Sequence, residues 1–309
     1  MTHAPTLALG VAALLPLLTL FPSPAMGARA RLGQSRIVTR SLFDVVSNTL
    51  FLRERGSLMV RIEKSTATFG SNEYEVVHAA ALCADEPLPQ RCTEHTFENE
   101  LYKRQEQVRA FWIDRYEVTV RDYQRCVSVG RCEAPPYANG AERFNRPDYP
   151  VSFVTHADAV AYCRFRNARL PREAEFERAA RGVSGRKFPW GELYNAHVAN
   201  HGRLGVLETD ASDGYPELAP VGAFPDGKTP EVIFDLAGNV AEWQAEPYRE
   251  NSNQEVPAES EAAPRVARGG GFLSSAAFLR GAAREAVPAN TRRPDLGLRC
   301  ARSAQDSAP

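Results

Sequence analysis

Residues 169–182 read RLPREAEFERAARG, and this stretch and the residues after it set the style of the whole chain. Proline suits a first helical turn, so Pro171 opens a helix, and Gly182 supplies its stop. Beyond Gly182 regular structure fades. Gly, Pro, Asn and Asp recur from Trp190 to Pro230, the signature of a long ordered loop rather than of a helical or sheet domain. Upstream, Thr155 caps a second helix, HADAVAYCRFRN, with Ala159, Val160, Cys163 and Phe165 forming its apolar face. Thr119 caps a third, running through Asp122 and Tyr123 to about Val127. Before it, Ala110–Thr119 (AFWIDRYEVT) alternates apolar and polar residues and suits a half-buried strand. Ser57–Ile62 (SLMVRI) reads as another strand, followed by a turn-prone Thr66–Asn72. The result is one loop-rich α+β domain over residues 57–302 with little regular secondary structure.

The flanks read differently. Leu7–Phe21 is an uncharged apolar run broken by Pro16, and small residues follow at Ala25, Gly27, Ala28 and Ala30. That pattern suits a signal peptide over residues 1–27, cleaved after Gly27 or nearby. A membrane anchor is the competing reading. The run is short of the roughly 20 residues a span needs and carries a proline, so no stable membrane insertion is expected after cleavage. No cysteine follows the run, which argues against a lipid anchor. Export to a periplasm or to the medium is the expectation. Residues 28–56 are basic and mixed, a linker with room for one short helix. Residues 246–264 are polar and read as a mobile surface loop, and the tail 303–309 should fray.

Composition narrows the partners. With 309 residues, 43% apolar, 24% charged and a net charge of −1, a packed core is possible and no block of like charge stands out. This argues against nucleic acid and against a polybasic membrane surface. Six cysteines, Cys83, Cys92, Cys126, Cys132, Cys163 and Cys300, suit an oxidising compartment. Sequence alone permits about 15 pairings. Spacing suggests Cys83–Cys92 and Cys126–Cys132 as local pairs, leaving Cys163 with Cys300; free buried thiols are the competing reading. Without a CxxC or a Cys/His cluster, zinc fits poorly.

Eight pieces then occur in order: FWIDRYEVT (111–119), YPVSFVTHADAVAYCRF (149–165), RLPREAEFERAARG (169–182), FPWGE (188–192), APVGAFP (219–225), FDLAGNVAEW (234–243), RGGGF (268–272) and GLRCAR (297–302). Together they resemble the formylglycine-generating (sulfatase-modifying-factor) family. The resemblance implies a C-type-lectin-like α+β fold and a structural disulfide between Cys163 and Cys300. It also implies an oxidase that holds Cu(I) through two cysteines lying between the RGG and GLRC motifs and converts a substrate cysteine in Cys-x-Pro-x-Arg to formylglycine. Here Gly271–Arg299 contains no cysteine. Ser274 and Ser275 fall near the first position, but a neutral hydroxyl is a hard, weak ligand where Cu(I) wants a thiolate. Copper oxidase chemistry is therefore not expected.

Structural calcium is. The family's first calcium site maps onto the Asn200 side chain, the His201 carbonyl, the Asp213 side chain and the Tyr215 carbonyl. The second maps onto Asp235, the Gly238 and Val240 carbonyls and Glu242. Oxygen donors on irregular loops are what Ca²⁺ selects, although Asp213 and Asp235 also suit plain turn formation. Other chemistry finds little support. Trp112, Trp190 and Trp243 read as packing residues, and Arg268–Gly271 lacks the lysine and frame of a phosphate loop. His197 and His201 are four apart but lie in loop sequence, while His95 and His156 have no partner nearby. The expected function is a calcium- and disulfide-stabilised module that binds a protein or small-molecule ligand or serves as an accessory to another enzyme. The alternative is an enzyme of altered chemistry, an oxidoreductase or other modifying activity, built on Ser274, Ser275, Arg280, Arg284 and Glu285.

Overall fold

The structure, a computed structural model, describes residues 43–46 and 49–54 as backbone and residues 57–304 apart from 85, 139, 204–209 and 251–262. The expected signal peptide, most of the 246–264 loop and the last five residues lie outside the described residues.

Five antiparallel strands form the first sheet: β1 (Phe43–Val46), β2 (Thr49–Glu54), β3 (Ser57–Ile62), β6 (Phe111–Asp114) and β11 (Ala301–Ser303), in the order β1-β2-β3-β6-β11. Part of the segment 28–56 read as a linker is strand, because the edge of β3 offers a ladder from Phe51↔Val60 to Glu54↔Ser57; residues 28–42, where a short helix was allowed for, lie outside the described residues. Local propensity does not display such a partner. β6 ends at Asp114, earlier than the alternation over 110–119 suggested. The reason is Asp114 itself, whose buried carboxylate accepts from Arg166 Nη1 at 2.7 Å, the Cys300 amide at 2.9 Å and Ser57 Oγ at 2.8 Å. The turn expected over Thr66–Asn72 is also corrected. Ser65–Phe69 is β4, paired with β5 (Arg104–Val108), and buries Ala67 and Phe69. Only Gly70, at φ +69, and the two residues after it turn the chain.

Asn72 then caps α1 (Glu73–Ala81) in a capping box with Glu75. Thr119 caps α2 (Val120–Ser128), and Thr155 caps α3 (His156–Phe165) in a box with Asp158, each cap worth about 1 kcal/mol. α4 (Glu173–Arg181) ends at Gly182, φ +67, as the sequence predicts, but Pro171 sits outside it. Arg172 is the N-cap, its amide donating to the Glu175 carboxylate at 2.9 Å. Between α4 and the next strand, Trp190–Pro230 holds only a single 3₁₀ turn at Pro225–Gly227 among the described residues.

The second sheet comes next: β7 (Ala241–Pro247), β8 (Pro264–Arg268), β9 (Arg284–Pro288) and β10 (Leu296–Gly297), in the order β10-β7-β8-β9. One core cluster joins α2 and α3 to this sheet through Tyr123, Tyr162, Leu170, Trp243 and Leu298. A second packs Phe176, Ala179 and Ala180 of α4 against Ile62, Phe69, Phe111 and Ile113. Cys163 and Cys300 are bonded within the first cluster, while Cys83–Cys92 and Cys126–Cys132 close the two local loops. All three bonds agree with the pairing that spacing suggested.

His156 opens α3 against this core. Its Nε2 donates to the Gln244 carbonyl at 3.0 Å, and its ring meets Trp243 edge-on at 5.6 Å. Burial lowers its pKa to about 4 from 6.5. The fold therefore holds the neutral ring, and its stabilisation is full above pH 6.5 and lost as pH falls toward 4. Acidification across that window should cost up to about 3 kcal/mol. Replacing His156 by Gln should flatten that part of a urea-stability profile against pH; an unchanged profile would show that other groups set it.

Candidate functional site

The segment that would carry the copper pair is filled. Ser274 Oγ accepts from the Gly271 amide at 3.0 Å, and Leu273 beside it packs in a cluster with Tyr137, Phe144, Phe153 and Phe272. Ser275 is fully buried, with its hydroxyl 4.0 Å from Cys83 Sγ, a sulfur already in a disulfide. Ser274, Arg284 and Glu285 border a cavity of about 30 Å³, space for roughly one water. Arg280 turns away into a buried two-pronged pair with Glu100, at 2.6 and 2.8 Å, and Glu285 pairs with Arg293. The five residues of the altered-chemistry alternative thus point to separate partners.

The first calcium set is brought together by two loops. The Asn239 amide donates to the Asn200 carbonyl at 2.9 Å, and a side chain on Gly238 (φ +86) would meet that carbonyl at 2.1 Å, so only glycine permits the approach. Asn200 donates from Nδ2 to the Glu217 carbonyl at 2.8 Å and to Asn239 Oδ1 at 3.1 Å. Those two acceptors fix the amide's orientation and leave Oδ1 buried without a donor. A buried acceptor without a partner costs about 1–3 kcal/mol, and a cation at that point would remove the cost. Asp213 lies across the same loop, accepting from the His201 amide and the Tyr215 amide, each at 2.8 Å. The second bond is the turn-forming role that aspartate also suits. An unpartnered amide oxygen and a nearby loop carboxylate are donors of the kind Ca²⁺ takes.

The second set is different. Asp235 takes a positive φ of 54 and accepts from the Gly222 amide at 2.6 Å. Glu242, fully buried, gives both oxygens to Arg299, at 2.6 and 2.7 Å. Its cation is already supplied by the protein. Glu117, which lies within the FWIDRYEVT motif but was not a candidate site residue, joins them: it accepts from Asn239 Nδ2 at 2.9 Å and from the Val240 amide at 3.2 Å. Three buried carboxylates thus share one guanidinium. Burial raises the Asp235 pKa to about 6 and drives that of Glu117 well above the usual carboxylate range, with neighbouring Asp235 and Glu242 adding to the shift. The excess negative charge is favourable to a cation here, but the geometry of Glu242 fits a calcium ligand less well than the first set does.

A larger concavity lies elsewhere. A cleft of about 430 Å³ opens between β5, the first turn of α4, the end of β7 and the start of β9. Arg284 clasps Glu173 with Nε at 2.5 Å and Nη2 at 3.0 Å, and lies over the Tyr248 ring at 5.0 Å. Behind them Arg268 bonds Glu177, which also accepts from Arg181 Nη1 at 2.7 Å and the Gly70 amide at 2.8 Å. Glu246 accepts from the Glu173 amide at 2.8 Å, at the N-terminus of α4. Of this group only Arg284 was a candidate from the sequence; Glu173, Glu177, Arg181 and Arg268 lie within quoted motifs but nothing in those motifs marks them as neighbours of Glu246.

Similarity to known proteins extends over most of this frame. The family model described as the sulfatase-modifying factor enzyme 1-like domain matches residues 53–304. The formylglycine-generating enzyme of Bos taurus is 35% identical over 170 residues, covering 51% of this chain and 45% of that protein. The inactive C-alpha-formylglycine-generating enzyme 2 of Bos taurus is also 35% identical, over 179 residues and 55% of each chain. The chain therefore spans about half the length of the curated relatives it matches. Among solved structures, PvdO from Pseudomonas aeruginosa shares the fold, with a TM-score of 0.60 at 23% identity, covering 80% of this chain and 95% of that one. On the extent of the family match, the chain belongs to the sulfatase-modifying factor enzyme 1-like family, with its C-type-lectin-like α+β fold.

Proposed function

We propose that this chain is an exported member of the family without copper oxidase activity, a disulfide- and calcium-stabilised module that binds a protein or small-molecule ligand. One observation carries the reading: all six cysteines are in disulfides, and Ser274 and Ser275, where a copper ligand would be sought, are held by backbone and core. Relatives of both kinds are similar to it, one named as a generating enzyme and one named as inactive. Purified protein supplied with Cu(I) and a Cys-x-Pro-x-Arg peptide is expected to yield no formylglycine by mass spectrometry. Copper-dependent conversion of the peptide would overturn the reading.

Calcium would be held by Asn200 Oδ1, the Asp213 carboxylate and the His201 and Tyr215 carbonyls, and its contribution there is to neutralise charge and tie two loops. Adding calcium to chelator-treated protein should raise its unfolding free energy by about 3 kcal/mol at 100 times Kd. Asp213→Asn should abolish most of that increment, and elemental analysis should show the bound ion; an unshifted melting temperature would exclude the site.

An enzyme of altered chemistry is the second reading. What favours it is the cleft beside Arg284, where burial raises the pKa of Glu246. Against it, the arginines and glutamates of the cleft floor already satisfy one another.

A further inference from the structure

The cleft between β5, α4, β7 and β9 is asymmetric in what it leaves free. All three nitrogens of Arg284 are engaged: Nε and Nη2 on Glu173, and Nη1 on the carbonyls of Asn99 and Arg249 at 2.9 and 3.0 Å. Arg268 is wholly buried behind Glu177 and the Ala282 and Ala283 carbonyls. An anionic ligand would have to break these bonds to reach either of these two guanidinium groups. Glu246 is the exception among the acids. Its hydrogen bond to another residue comes from the Glu173 amide, and no arginine or lysine among the described residues forms an ion pair with it. The charged groups acting on it most strongly, Glu173 and Glu175, carry its own sign. At the rim, Glu106 is exposed and shares Arg104 at 3.2 Å.

We propose that this cleft binds a small organic cation, a primary ammonium or guanidinium compound, with Glu246 as its counter-ion. The volume of about 430 Å³ lies within the roughly 300–1,000 Å³ of small-molecule sites. A cation entering it meets the one lining carboxylate that forms no ion pair among the described residues, in a partly desolvated site where the attraction is stronger than in water. The site is apart from Ser274 and from both calcium sets, and it names a ligand class for the binding-module reading, on which it rests.

Titration calorimetry of the full chain with agmatine and with putrescine tests this, against neutral 1,4-butanediol. Both amines should bind and the diol should not, and Glu246→Gln, which keeps an acceptor for the Glu173 amide, should weaken agmatine at least about tenfold, or 1.4 kcal/mol. Amide shift mapping on the unaltered protein should place the changes around Gly70, Glu173 and Glu246, independently of whether the variant folds. Absent binding at millimolar amine, equal affinity in the Gln variant or shifts confined to another face would each overturn the proposal. None of those outcomes bears on the copper assay, so the two readings fail separately.

Discussion

Arg299→Met is expected to destabilise the protein by about 3–5 kcal/mol, the range for removing one partner of a buried ion pair. Arg299 is fully buried and its donors are spread over five acceptors: both oxygens of Glu242 and the carbonyls of Asp114, Phe234 and Asp235. The three carbonyls belong to the end of β6 and to the loop that leads into β7, so one side chain ties two sheets. Methionine fills part of the volume but supplies no donor and no charge. Glu242, Asp235 and Glu117 would then be three carboxylates in the interior without a cation. Against the 5–15 kcal/mol typical of a whole domain, the loss is a large fraction. Urea unfolding of the variant measures it. Adding Glu242→Gln to Arg299→Met should recover part of the loss, because the worst of the uncompensated charge goes with it. By contrast, Arg121→Met breaks a pair with Asp148 in which both side chains are mostly exposed, and should cost under about 1 kcal/mol. Equal effects at the two positions would refute the role assigned to Arg299.

Legibility in the sequence depends on where each interaction is written. Caps are local, so Thr119, Thr155 and Gly182 mark α2, α3 and α4 within a few letters. Pro171 misleads by two positions, since Arg172 and Glu175 form the capping pair and the proline only precedes it. β4 is hidden for a different reason. Thr66 and Thr68 look like turn residues until β5, more than thirty residues on, provides a partner. β1 and β2 likewise depend on the edge of β3. At the site, the cysteine-free stretch Gly271–Arg299 is a statement about composition and needs no coordinates. Glu246 carries no such signal, and Glu117 sits in the FWIDRYEVT motif without its acid role being readable there. Glu117 becomes part of an acid cluster only because Asn239 and Val240 fold onto it, and Glu246 lines a cleft only because α4 begins beside β7. Residues assembled by tertiary structure alone, from elements without a shared motif, are invisible to spacing.

The other large effect is expected at Cys163–Cys300. Replacing both residues by alanine should cost about 5 kcal/mol on the chain-entropy account, against about 2 kcal/mol for the Cys126–Cys132 pair. The difference lies in loop length: the first bond closes a separation of 137 residues and the second one of 6. The long bond restrains an unfolded chain across α3, α4, the whole Trp190–Pro230 loop and the second sheet. It is also placed where the loss is felt in the native state, since Cys163 and Cys300 are both fully buried beside Tyr162 and Leu298. The Cys300 amide and carbonyl additionally bond Asp114, so freeing residue 300 loosens the joint that Arg166 and Ser57 share. Urea unfolding of the two double-alanine variants, each with the remaining disulfides intact, gives the comparison. Similar losses in both would show that loop closure is not what makes the long bond count, and that native packing around the sulfurs sets its contribution instead.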